Sequence, residues 1–589
     1  MYYLYMPETD RLSNIQVVEK LKEALAAMEV KNYNWFKIRA YQNAIAVIEN
    51  LTTSVQDMWE EGRLDAMPGI GEGLTAHLND LFSKGVVADW EYLKKGLPDG
   101  MFELLGLHGI GAKKAFKLAR AFKLENRTTA IEKLKIHAEK GDIQSLEGFG
   151  EKSEQDILAT LTLQKMSKND KPRMLLIKAE EIVDRVLTYM KKSPDVLKID
   201  AAGSYRRRNA TVGDLDLIVA TNKPKEVMEY FIKFPEIMEI SMQGERKTIA
   251  ILTNGVQVDI NVSKPEAYGA MLQYNTGSKQ HNILLRTYAL EKRMSLSEYG
   301  IKKKEVLTEY DNEQDFYKAV GLPYIPPELR SGNDEIALAK VSGLPKLVEL
   351  SDIRGDLHTH TVFSDGAETL EEMVVVAAQL GYEYYGVSDH APSVISRGYK
   401  EVERLILEQR KLVDEINSKQ TKMKILLGSE INITAEAEMA LPDELMDLFD
   451  YTIASIHTSF NQDKKAITNR MVKAIEHPLV SIIGHPTGRL ISEREACDLD
   501  WKLVFDALVA NNKIVEINSQ PDRLDLTDDL VRMALEKNIK FVINTDAHAS
   551  VQLRNMKYGI DVARRGYCTK QSIINTLPHE QFVKWLKKH

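Results

Sequence analysis

The C-terminal part of the chain repeats one local pattern, in which a short apolar segment is followed by a stretch of helical length. From residue 353 onward, apolar runs such as Tyr451–Ser455 and Phe541–Asn544 alternate with amphipathic stretches. Strands and helices in such alternation build a parallel sheet or barrel, because each helix returns the chain to the start of the next strand. The sequence therefore predicts an α/β domain from about residue 353 onward.

Side chains that bind metals follow the ends of these predicted strands. The carboxyl ends of parallel strands meet at one edge of a barrel, where such folds place their chemistry. A mixture of imidazole and carboxylate suits zinc, manganese or iron, and this set is large enough for two or three ions. A single histidine in such a position is more often structural, but the accumulation predicts a metal cluster that would polarise a phosphoryl oxygen. The predicted ligands are His358, His360, Asp365, His390, Glu430, His457, His485, Asp546 and His548.

A second candidate metal site, made only of carboxylates, lies in the middle of the chain. Asp214 and Asp216 are two residues apart in a predicted strand and therefore project from the same face. Asp259, on a neighbouring predicted strand, would complete a site for two Mg²⁺ ions. Such aspartate pairs are also common on exposed strands, but the apolar residues around this one predict a buried strand. Gly203 and Ser204, upstream of it, would cradle phosphates.

Three short glycine turns divide the helical N-terminal third of the chain. Each has the pattern glycine, apolar residue, glycine, and each ends one helical segment and starts another. Such a turn points backbone N–H groups and a helix N-terminus outward, which makes a phosphate site. Helix capping by glycine would explain one copy, but three copies with basic residues after the second favour a grip on the DNA backbone. The predicted DNA-binding residues are Gly69, Gly71, Gly109, Gly111, Lys113, Lys114, Lys117, Gly148 and Gly150.

Composition limits the classes of protein to which the chain could belong. With 589 residues, the chain is too long for a single hydrophobic core and is expected to contain several domains. Its two cysteines, Cys497 and Cys568, form no CxxC motif, which argues against a disulfide framework or a cysteine-based zinc finger. Without a run of about 18 apolar residues or a signal-like start, we expect a cytoplasmic protein that does not bind membranes. The net charge of −8 argues against a nucleic-acid partner, but the acidic metal-binding half conceals local basic clusters in that total.

The middle motifs resemble the palm of the family X DNA polymerases, within the nucleotidyltransferase superfamily. The resemblance rests on the Gly-Ser pair, the three aspartates and residues 274–286, which are similar to the family's segment that packs against the nascent base pair. It implies that Asp214, Asp216 and Asp259 are catalytic and bind Mg²⁺. It also implies dNTP contacts by Gly203, Ser204, Arg207, Arg173, Tyr274, Gly277, Asn282 and Arg286.

The histidine motifs resemble the PHP (polymerase and histidinol phosphatase) domain with all its ligand motifs intact, and the glycine turns resemble helix-hairpin-helix motifs. Together the resemblances cover almost the whole chain. They imply an all-α helix-hairpin-helix region, an α+β nucleotidyltransferase palm and a C-terminal PHP domain shaped as a distorted TIM-like barrel. The implied domains are 1–85 and 86–165 (DNA-binding helices), 166–265 (palm), 266–320 (nascent-base-pair subdomain), 321–344 (linker) and 345–589 (PHP).

The chain departs from the family pattern at four positions. Asn275 stands where an aromatic residue usually follows Tyr274, which makes the degree of ribose discrimination an open question. Asn261 replaces an arginine that is common two residues after the third aspartate. Gly73 and His77 occupy positions at which the lyase members carry lysines, and Schiff-base chemistry needs an amine. We therefore predict no lyase activity from the first hairpin.

The resemblance implies a monomeric bacterial or archaeal DNA-directed DNA polymerase that acts on gapped or primer-template DNA in base excision repair or gap filling. It further implies a Mn²⁺-dependent 3′–5′ exonuclease in the PHP domain, and it allows 3′-phosphatase and abasic-site (AP) endonuclease activity there. One alternative is a small-molecule phosphatase with a nucleotidyltransferase appendage, against which the hairpin turns argue. Another is a non-catalytic scaffold for DNA ends, against which the two ligand sets argue.

Overall fold

The computed structural model describes residues 14–49, 70–106, 110–146, 148–150, 173–304, 306–341, 343–419 and 422–586, and also Leu12, Val55, Trp59, Leu64, Glu154 and Ile157. The chain forms two compact units, Met1–Pro172 and Arg173–His589. In the described residues the first unit is helical, and the second contains a five-stranded and a seven-stranded sheet. This architecture confirms the predicted fold class. No helix in the described part of the chain is both long and apolar enough to cross a membrane.

Helices of the first unit pack around aliphatic side chains such as Leu21, Leu78 and Leu118. They are α1 (Asn14–Val30), α2 (Trp35–Glu49), α3 (Glu72–Lys84), α4 (Ala88–Lys94), α5 (Gly100–Glu103), α6 (Ala112–Ala121) and α7 (Arg127–Glu139). Gly71 and Gly111 are the extended N-cap residues of α3 and α6, and neither provides a side-chain cap. Two of the predicted turns therefore start helices, with first-turn N–H groups that need an external partner.

A five-stranded sheet occupies the first part of the second unit. The elements of this region are β1 (Met174–Leu175), α8 (Leu176–Met190), β2 (Lys198–Ala201), α9 (Gly203–Arg206), β3 (Thr211–Val212), β4 (Leu215–Ala220), α10 (Pro224–Phe231), β5 (Ile237–Gln243), β6 (Lys247–Leu252) and β7 (Gln257–Ser263). The strand order is β2-β4-β7-β6-β5, and β4 pairs with β7 in parallel. That parallel pair places the ends of both strands, and their aspartates, side by side.

A smaller subdomain follows the sheet. It contains α11 (Tyr268–Thr276), α12 (Lys279–Glu291), β8 (Met294–Ser297), β9 (Gly300–Lys303), β10 (Val306–Thr308), α13 (Glu313–Val320) and α14 (Glu335–Val341). Its core includes Phe316 and also Leu329, which belongs to the segment predicted as a linker. Arg330 in that segment is fully buried, and its Nη1 lies 2.6 Å from Glu313 Oε1. The predicted linker is therefore packed into this subdomain.

Seven parallel strands form the C-terminal barrel in the order of the sequence. They are β11 (Gly355–Asp356), β12 (Tyr384–Val387), β13 (Lys424–Asn432), β14 (Tyr451–Ser455), β15 (Ile482–Ile483), β16 (Ile514–Asn518) and β17 (Phe541–Asn544). Thr359, just after β11, bridges Ala547, just after β17, so that the first and last strands nearly close the barrel. The helices are α15 (Leu370–Gln379), α16 (Val394–Arg397), α17 (Tyr399–Lys419), α18 (Asp443–Met446), α19 (Lys464–Glu476), α20 (Trp501–Ala510), α21 (Asp528–Glu536), α22 (Met556–Arg565) and α23 (His579–Leu586).

Two candidate metal centres

The barrel brings all nine predicted ligands of the histidine cluster together at the carboxyl ends of its strands. Their donor atoms fall into overlapping groups, in each of which the atoms lie within 4.8 Å of one another. The groups are His360-Asp365-His390-His548, His358-His360-Asp546, His358-Glu430-His485 and His390-Glu430-His457. Because several residues belong to two groups, the arrangement is one connected cluster.

Glu430 lies at the centre of this cluster. Its Oε1 is 2.8 Å from His485 Nε2 and 3.0 Å from His457 Nε2. Its Oε2 is 3.0 Å from His390 Nδ1 and 3.3 Å from His358 Nε2. Burial by itself would raise the pKa of Glu430, but the neighbouring His358 and His457 hold it well below its usual range. The central carboxylate is therefore ionised and offers both oxygens to the cluster.

Two buried nitrogen atoms test whether metal ions fit this cluster. Among the described residues, the Nε2 atoms of His358 and His360 are buried and form no hydrogen bond of acceptable geometry, although carboxylate oxygens lie near both. Asp546 Oδ1 lies 3.2 Å from His360 Nε2 and 3.7 Å from His358 Nε2. Imidazole nitrogens that converge with carboxylate oxygens form a donor set that suits manganese, zinc and iron. The residues therefore fit a cluster of divalent cations.

Two of the ligands have unusual backbone conformations. His485 has a φ of 22° and Asp546 a φ of 52°, in the left-handed half of φ/ψ space. Such conformations cost about 1–3 kcal/mol each and persist only where surrounding contacts hold them. Asn518 Nδ2 donates to Asp546 Oδ2 at 3.1 Å, and Gln520 Nε2 donates to the Asp546 carbonyl oxygen at 2.7 Å. These two hydrogen bonds hold Asp546 in its strained backbone conformation, in which its carboxylate lies in the cluster.

Glu516 belongs to this centre, although the sequence analysis did not single it out. It is fully buried on β16, and its Oε1 lies 2.7 Å from His358 Nδ1. Its Oε2 accepts a hydrogen bond from the backbone N–H of His485 at 2.8 Å. A carboxylate bonded to the second nitrogen of a metal-binding imidazole fixes the tautomer and orientation of the ring. The sequence did contain a signal for this role, because Glu516 stands within the apolar run of residues 514–517. A carboxylate in a buried strand needs a charged or hydrogen-bonding partner.

We expect Glu516→Gln to lower the affinity of the cluster for Mn²⁺ by about 10- to 100-fold. Glutamine keeps the shape of the side chain but removes the charge that orients His358. Calorimetric titration of metal-stripped protein with Mn²⁺ measures the effect. Glu476→Gln, which breaks an exposed ion pair with Lys473, is the matched control. Equal Mn²⁺ affinities for Glu516→Gln and the wild type would contradict the orienting role.

The carboxylate centre lies where the parallel strands β4 and β7 run side by side. Asp216 and Asp259 are register partners on these strands, and Asp214 directly precedes β4. Burial, together with the charges of Asp214 and Asp259, raises the pKa of Asp216 to about 7. Three converging carboxylates with this excess of negative charge fit the oxygen-ligand preference of Mg²⁺.

Gly203 packs closely against this centre. It has a φ of 58°, and a Cβ atom at this position would lie 2.2 Å from Asp216 Oδ2. The backbone N–H of Ala202 also donates to the Asp216 carbonyl oxygen at 2.7 Å. Only glycine permits this approach without a clash. The turn that carries Ser204 is therefore anchored beside the carboxylates, as the predicted phosphate cradle requires.

Asp259 is held by two side chains that the sequence analysis did not predict. Lys247 Nζ lies 2.9 Å from its Oδ2, and Gln257 Nε2 donates to its Oδ1 at 2.7 Å. Lys247 is the register partner of Asn261, the position at which the family commonly has an arginine. The neighbouring strand β6 thus supplies a positive charge next to the position where the arginine is missing.

The predicted triphosphate arginines lie close to the carboxylate centre. Arg207 Nη1 donates to the Thr276 carbonyl oxygen. It lies close to Gly277, 3.3 Å from the point that a Cβ atom on that residue would occupy. Arg173 Nε donates to Thr211 Oγ1 at 2.8 Å. Arg173 Nη1 lies close to Gly213, the residue before the first aspartate, at 3.4 Å from the point that a Cβ atom on Gly213 would occupy. The Arg173 guanidinium is therefore next to the residue that precedes Asp214, and the Arg207 guanidinium lies beside Gly277 and within the electrostatic influence of Asp216.

The predicted sugar and base-pair residues line a small cleft in the subdomain. The Arg286 guanidinium lies 5.2 Å from the ring centroid of Tyr274, and Asn282 Nδ2 donates to the Tyr274 carbonyl oxygen at 2.7 Å. Asn275 behaves differently, because its Nδ2 donates to the Met271 carbonyl oxygen at 2.9 Å. The side chain at this departure from the family pattern is thus bound to its own helix, α11.

The basic residues after the second hairpin turn are exposed on α6. Lys114 Nζ lies 5.9 Å from the ring centroid of Phe149. Lys117 Nζ lies close to Gly148, at 3.7 Å from the point that a Cβ atom on that residue would occupy. The second and third turns, the latter ending at the exposed Gly150, are therefore neighbours in space. The predicted Gly69 and Gly109 lie outside the described residues.

One of the two positions at which lyase members carry a lysine is occupied here by His77, whose ring has hydrogen-bonding partners on both nitrogens. His77 Nδ1 lies 2.7 Å from the Tyr41 hydroxyl, and its Nε2 lies 3.2 Å from Asp89 Oδ2. Gly73, at the second lysine position, has no side chain. Neither position carries the amine that Schiff-base chemistry needs. The absence of lyase activity at this site remains a prediction.

Comparison with known proteins identifies three domains of known families in the chain. Residues 13–87 match a helix-hairpin-helix domain, residues 271–331 the DNA polymerase beta thumb and residues 356–520 the PHP domain. The chain is also 33% identical over 577 residues to DNA polymerase/3′-5′ exonuclease PolX of Bacillus subtilis (strain 168), which covers 97% of this chain and 99% of that protein. The chain belongs to the family X DNA polymerases with a PHP domain. This finding confirms the resemblance recognised in the sequence.

Two further relatives match parts of this family X polymerase. DNA polymerase lambda of Rattus norvegicus is 22% identical over 350 residues, which are 54% of this chain and 56% of that protein. A probable phosphatase of Thermoanaerobacter sp. (strain X514) is 26% identical over 229 residues, which are 38% of this chain and 89% of that protein. The chain is thus similar both to a polymerase and to a separate protein named as a phosphatase.

Proposed function

We propose that this family X polymerase fills gaps in DNA during repair, including base excision repair, and trims 3′ ends with its PHP domain. The first activity is DNA-directed DNA synthesis from dNTPs on gapped or primer-template DNA. The second is a Mn²⁺-dependent 3′–5′ exonuclease. One observation carries the proposal: a single chain holds two separate donor sets, one of carboxylates and one of imidazoles and carboxylates. The name of the Bacillus subtilis relative, which includes both activities, supports it.

In the polymerase reaction, the primer 3′ hydroxyl attacks the α-phosphate of the dNTP and pyrophosphate leaves. Asp214, Asp216 and Asp259 would hold the Mg²⁺ ions, which when bound neutralise charge on the attacking and leaving oxygens. Ser204 would bind the triphosphate through its hydroxyl and backbone N–H, and Arg207 would balance its charge. Arg173 would provide a second guanidinium, and the Tyr274 cleft would orient the sugar and the new base pair.

In the PHP reaction, a phosphodiester at the 3′ end is hydrolysed. The nine clustered ligands would hold two or three ions of Mn²⁺, Zn²⁺ or iron, which when bound generate hydroxide and polarise a phosphoryl oxygen at neutral pH. Glu516 fixes the orientation of His358 for this task. Arg523, whose Nε lies 3.5 Å from Asp546 Oδ2, would provide a positive charge to the scissile phosphate.

A labelled gapped duplex incubated with Mn²⁺ tests both activities. With dNTPs we expect the primer to be extended by templated insertion, and without dNTPs we expect it to be shortened from its 3′ end. Chelation with EDTA should abolish both reactions. Failure of the wild-type protein to extend the primer would reject the polymerase proposal, and failure to shorten it would reject the exonuclease proposal.

The alternatives give different results in the same series of assays. Hydrolysis of p-nitrophenyl phosphate without any action on DNA would establish a small-molecule phosphatase. Binding of DNA ends that is unaltered by EDTA, with no change to the DNA, would establish a scaffold. Removal of a 3′ phosphate is a second candidate activity of the PHP domain, favoured by the similarity to the probable phosphatase. A primer that ends in a 3′ phosphate tests it, and a duplex with an abasic site tests endonuclease activity.

We expect replacement of Lys113 and Lys114 by alanine to weaken binding of gapped DNA equally for all sequences. Each lysine that contacts a phosphate releases about one counterion, so the salt dependence of binding should fall by about one unit of slope per residue. Fluorescence anisotropy at several salt concentrations measures this slope. Lys473→Ala, in an exposed ion pair of the PHP domain, is the control. An unchanged slope in the double variant would contradict a role for α6 in DNA binding.

We further propose the cellular setting and the domain organisation. The protein would act as a monomer in the cytoplasm, where bacterial and archaeal DNA is found. Its domains would follow the boundaries predicted from the sequence, except that residues 321–341 belong functionally with the nascent-base-pair subdomain. Packing of Leu329 and Arg330 into that subdomain supports this change.

A further inference from the structure

A helix of the PHP domain lies directly against the nucleotide-binding arginines of the polymerase. The segment Arg206–Asn209 follows the phosphate turn and contains Arg207, which we placed at the triphosphate. Helix α22 follows the last metal-ligand motif of the barrel and ends at Arg565. Two of its side chains reach across to this segment of the palm.

Arg565 holds the backbone of the arginine segment. Its Nη1 donates to the Arg207 carbonyl oxygen at 3.0 Å and to Asn209 Oδ1 at 2.7 Å. Its Nη2 donates to Asp528 Oδ2 at 2.5 Å, which balances its charge within the PHP domain. One guanidinium group therefore connects the backbone of the predicted triphosphate residue to the barrel.

Asp561 binds the next arginine within a network of partly buried charges. Arg208 Nε donates to Asp561 Oδ2 at 2.8 Å, and Arg208 Nη2 lies 2.7 Å from Glu180 Oε1 of the palm helix α8. Lys557 Nζ and the Tyr558 hydroxyl, both on α22, donate to Glu180 Oε2 at 2.7 and 2.6 Å. The PHP helix and the palm helix thus bind Arg208 from two sides.

The backbone of Arg208 has a conformation that needs support from its surroundings. Its φ is 56°, in the left-handed region that residues with long side chains rarely adopt. Such a conformation costs about 1–3 kcal/mol and persists only where its surroundings impose it. The Arg208 guanidinium binds one carboxylate of the PHP domain and one of the palm, and it lies 5.8 Å from the ring centroid of Tyr205. A carboxylate of the PHP domain is therefore among the groups that hold the arginine segment in this conformation.

We propose that Asp561 and Arg565 of the PHP domain are positioning residues for the polymerase reaction, which hold the Arg206–Asn209 segment in its dNTP-binding shape. The inference rests on the proposed polymerase function. It makes the nuclease domain part of the nucleotide site of the polymerase, so that the two activities share structure as well as substrate. The aspartates that carry out the chemistry lie outside this contact, so the contact sets the affinity for dNTP and not the rate of the chemical step.

Steady-state insertion into a single-nucleotide gap, with full-length protein and varied dNTP concentration, tests this assignment. We expect Arg565→Ala and Asp561→Ala each to raise KM for dNTP about tenfold, with kcat within about twofold of the wild type. Asp561→Asn, which keeps an acceptor for Arg208, should recover part of the affinity. The Mn²⁺-dependent shortening of the primer without dNTPs should be unchanged in all three variants.

Arg564→Ala is the matched control, because Arg564 is the next residue of the same helix and is similarly buried. Its Nε donates to Glu328 Oε1 at 2.8 Å and not to the arginine segment. We expect Arg564→Ala to leave KM for dNTP unchanged, and circular dichroism and thermal melts to show folded protein for every variant. Should Arg565→Ala not fold, Asp561→Asn and Arg565→Lys provide the same test with smaller changes.

The outcomes separate this inference from the proposed function. An unchanged KM in Arg565→Ala and Asp561→Ala, or an equal rise in KM in Arg564→Ala, would overturn the positioning role. Loss of kcat without a change in KM would also overturn it. If the wild-type protein itself inserts no nucleotide, the proposed polymerase function is overturned together with the positioning role that rests on it.

Discussion

Asp216→Ala is expected to slow nucleotide insertion by about 10³-fold or more and to leave hydrolysis of 3′ ends unchanged. Asp216 is the register partner of Asp259 and faces Asp214, so its removal takes away a central oxygen of the carboxylate centre. Metal-assisted stabilisation of charge contributes several kcal/mol to phosphoryl transfer, which corresponds to a rate factor of about 10³ or more. Single-turnover insertion with Mg²⁺ and primer shortening with Mn²⁺ measure the two effects.

Asp195→Ala provides the control for this experiment, because Asp195 forms a peripheral ion pair with Lys223 in the same region. It should insert nucleotides like the wild type. Asp216→Asn keeps the shape of the side chain beside Gly203 and should be nearly as inactive as Asp216→Ala, which separates loss of charge from loss of packing. Loss of primer shortening in Asp216→Ala would show that the two centres were assigned wrongly.

His360→Ala should have the opposite effect, with hydrolysis of 3′ ends reduced by about 10³-fold or more and insertion retained. His360 belongs to two of the overlapping ligand groups, so its loss affects more than one position for an ion. We also expect fewer Mn²⁺ ions per protein after loading and gel filtration. Mass spectrometry of bound metal measures this number independently of activity.

His477→Ala is the matched control for the histidine cluster. Like His485, His477 precedes a proline, but its Nε2 lies 3.3 Å from Asp443 and it belongs to none of the ligand groups found among the described residues. It should keep the metal content and the exonuclease rate of the wild type. Retained exonuclease activity in His360→Ala would contradict the assignment. Nucleotide insertion by His360→Ala serves as the internal test of folding.

Local patterns carried most of the information that could be predicted from sequence. The apolar runs at residues 451–455 and 541–544 are strands β14 and β17, with the predicted bounds. Burial on both faces makes a parallel strand a continuous apolar run, and the ligands directly follow such runs. Because the ends of parallel strands meet at one edge, nine ligands distributed over about 190 residues could be placed in one cluster before the fold was known.

Residues that act through long-range contacts could not be found in this way. Lys247 approaches Asp259 from the adjacent strand β6, and Glu516 reaches His358 from β16. Neither stands in a motif with its partner, and a charged residue on a strand is usually solvated. The packing of the segment around Arg330 could not be predicted for the same reason, since its prolines and glycines indicate turns but not what covers them.

The sequence by itself determined the two donor sets, the α/β barrel and the glycine turns, because each depends on residues that are close along the chain or on a strand period. Only the tertiary structure decided which side chains orient those donors and how the domains cooperate. Asp561 and Arg565 lie more than 350 positions from Arg208 and Arg207, yet contact them at hydrogen-bond distance. Contacts of that kind arise from packing of whole domains, and no local pattern records them.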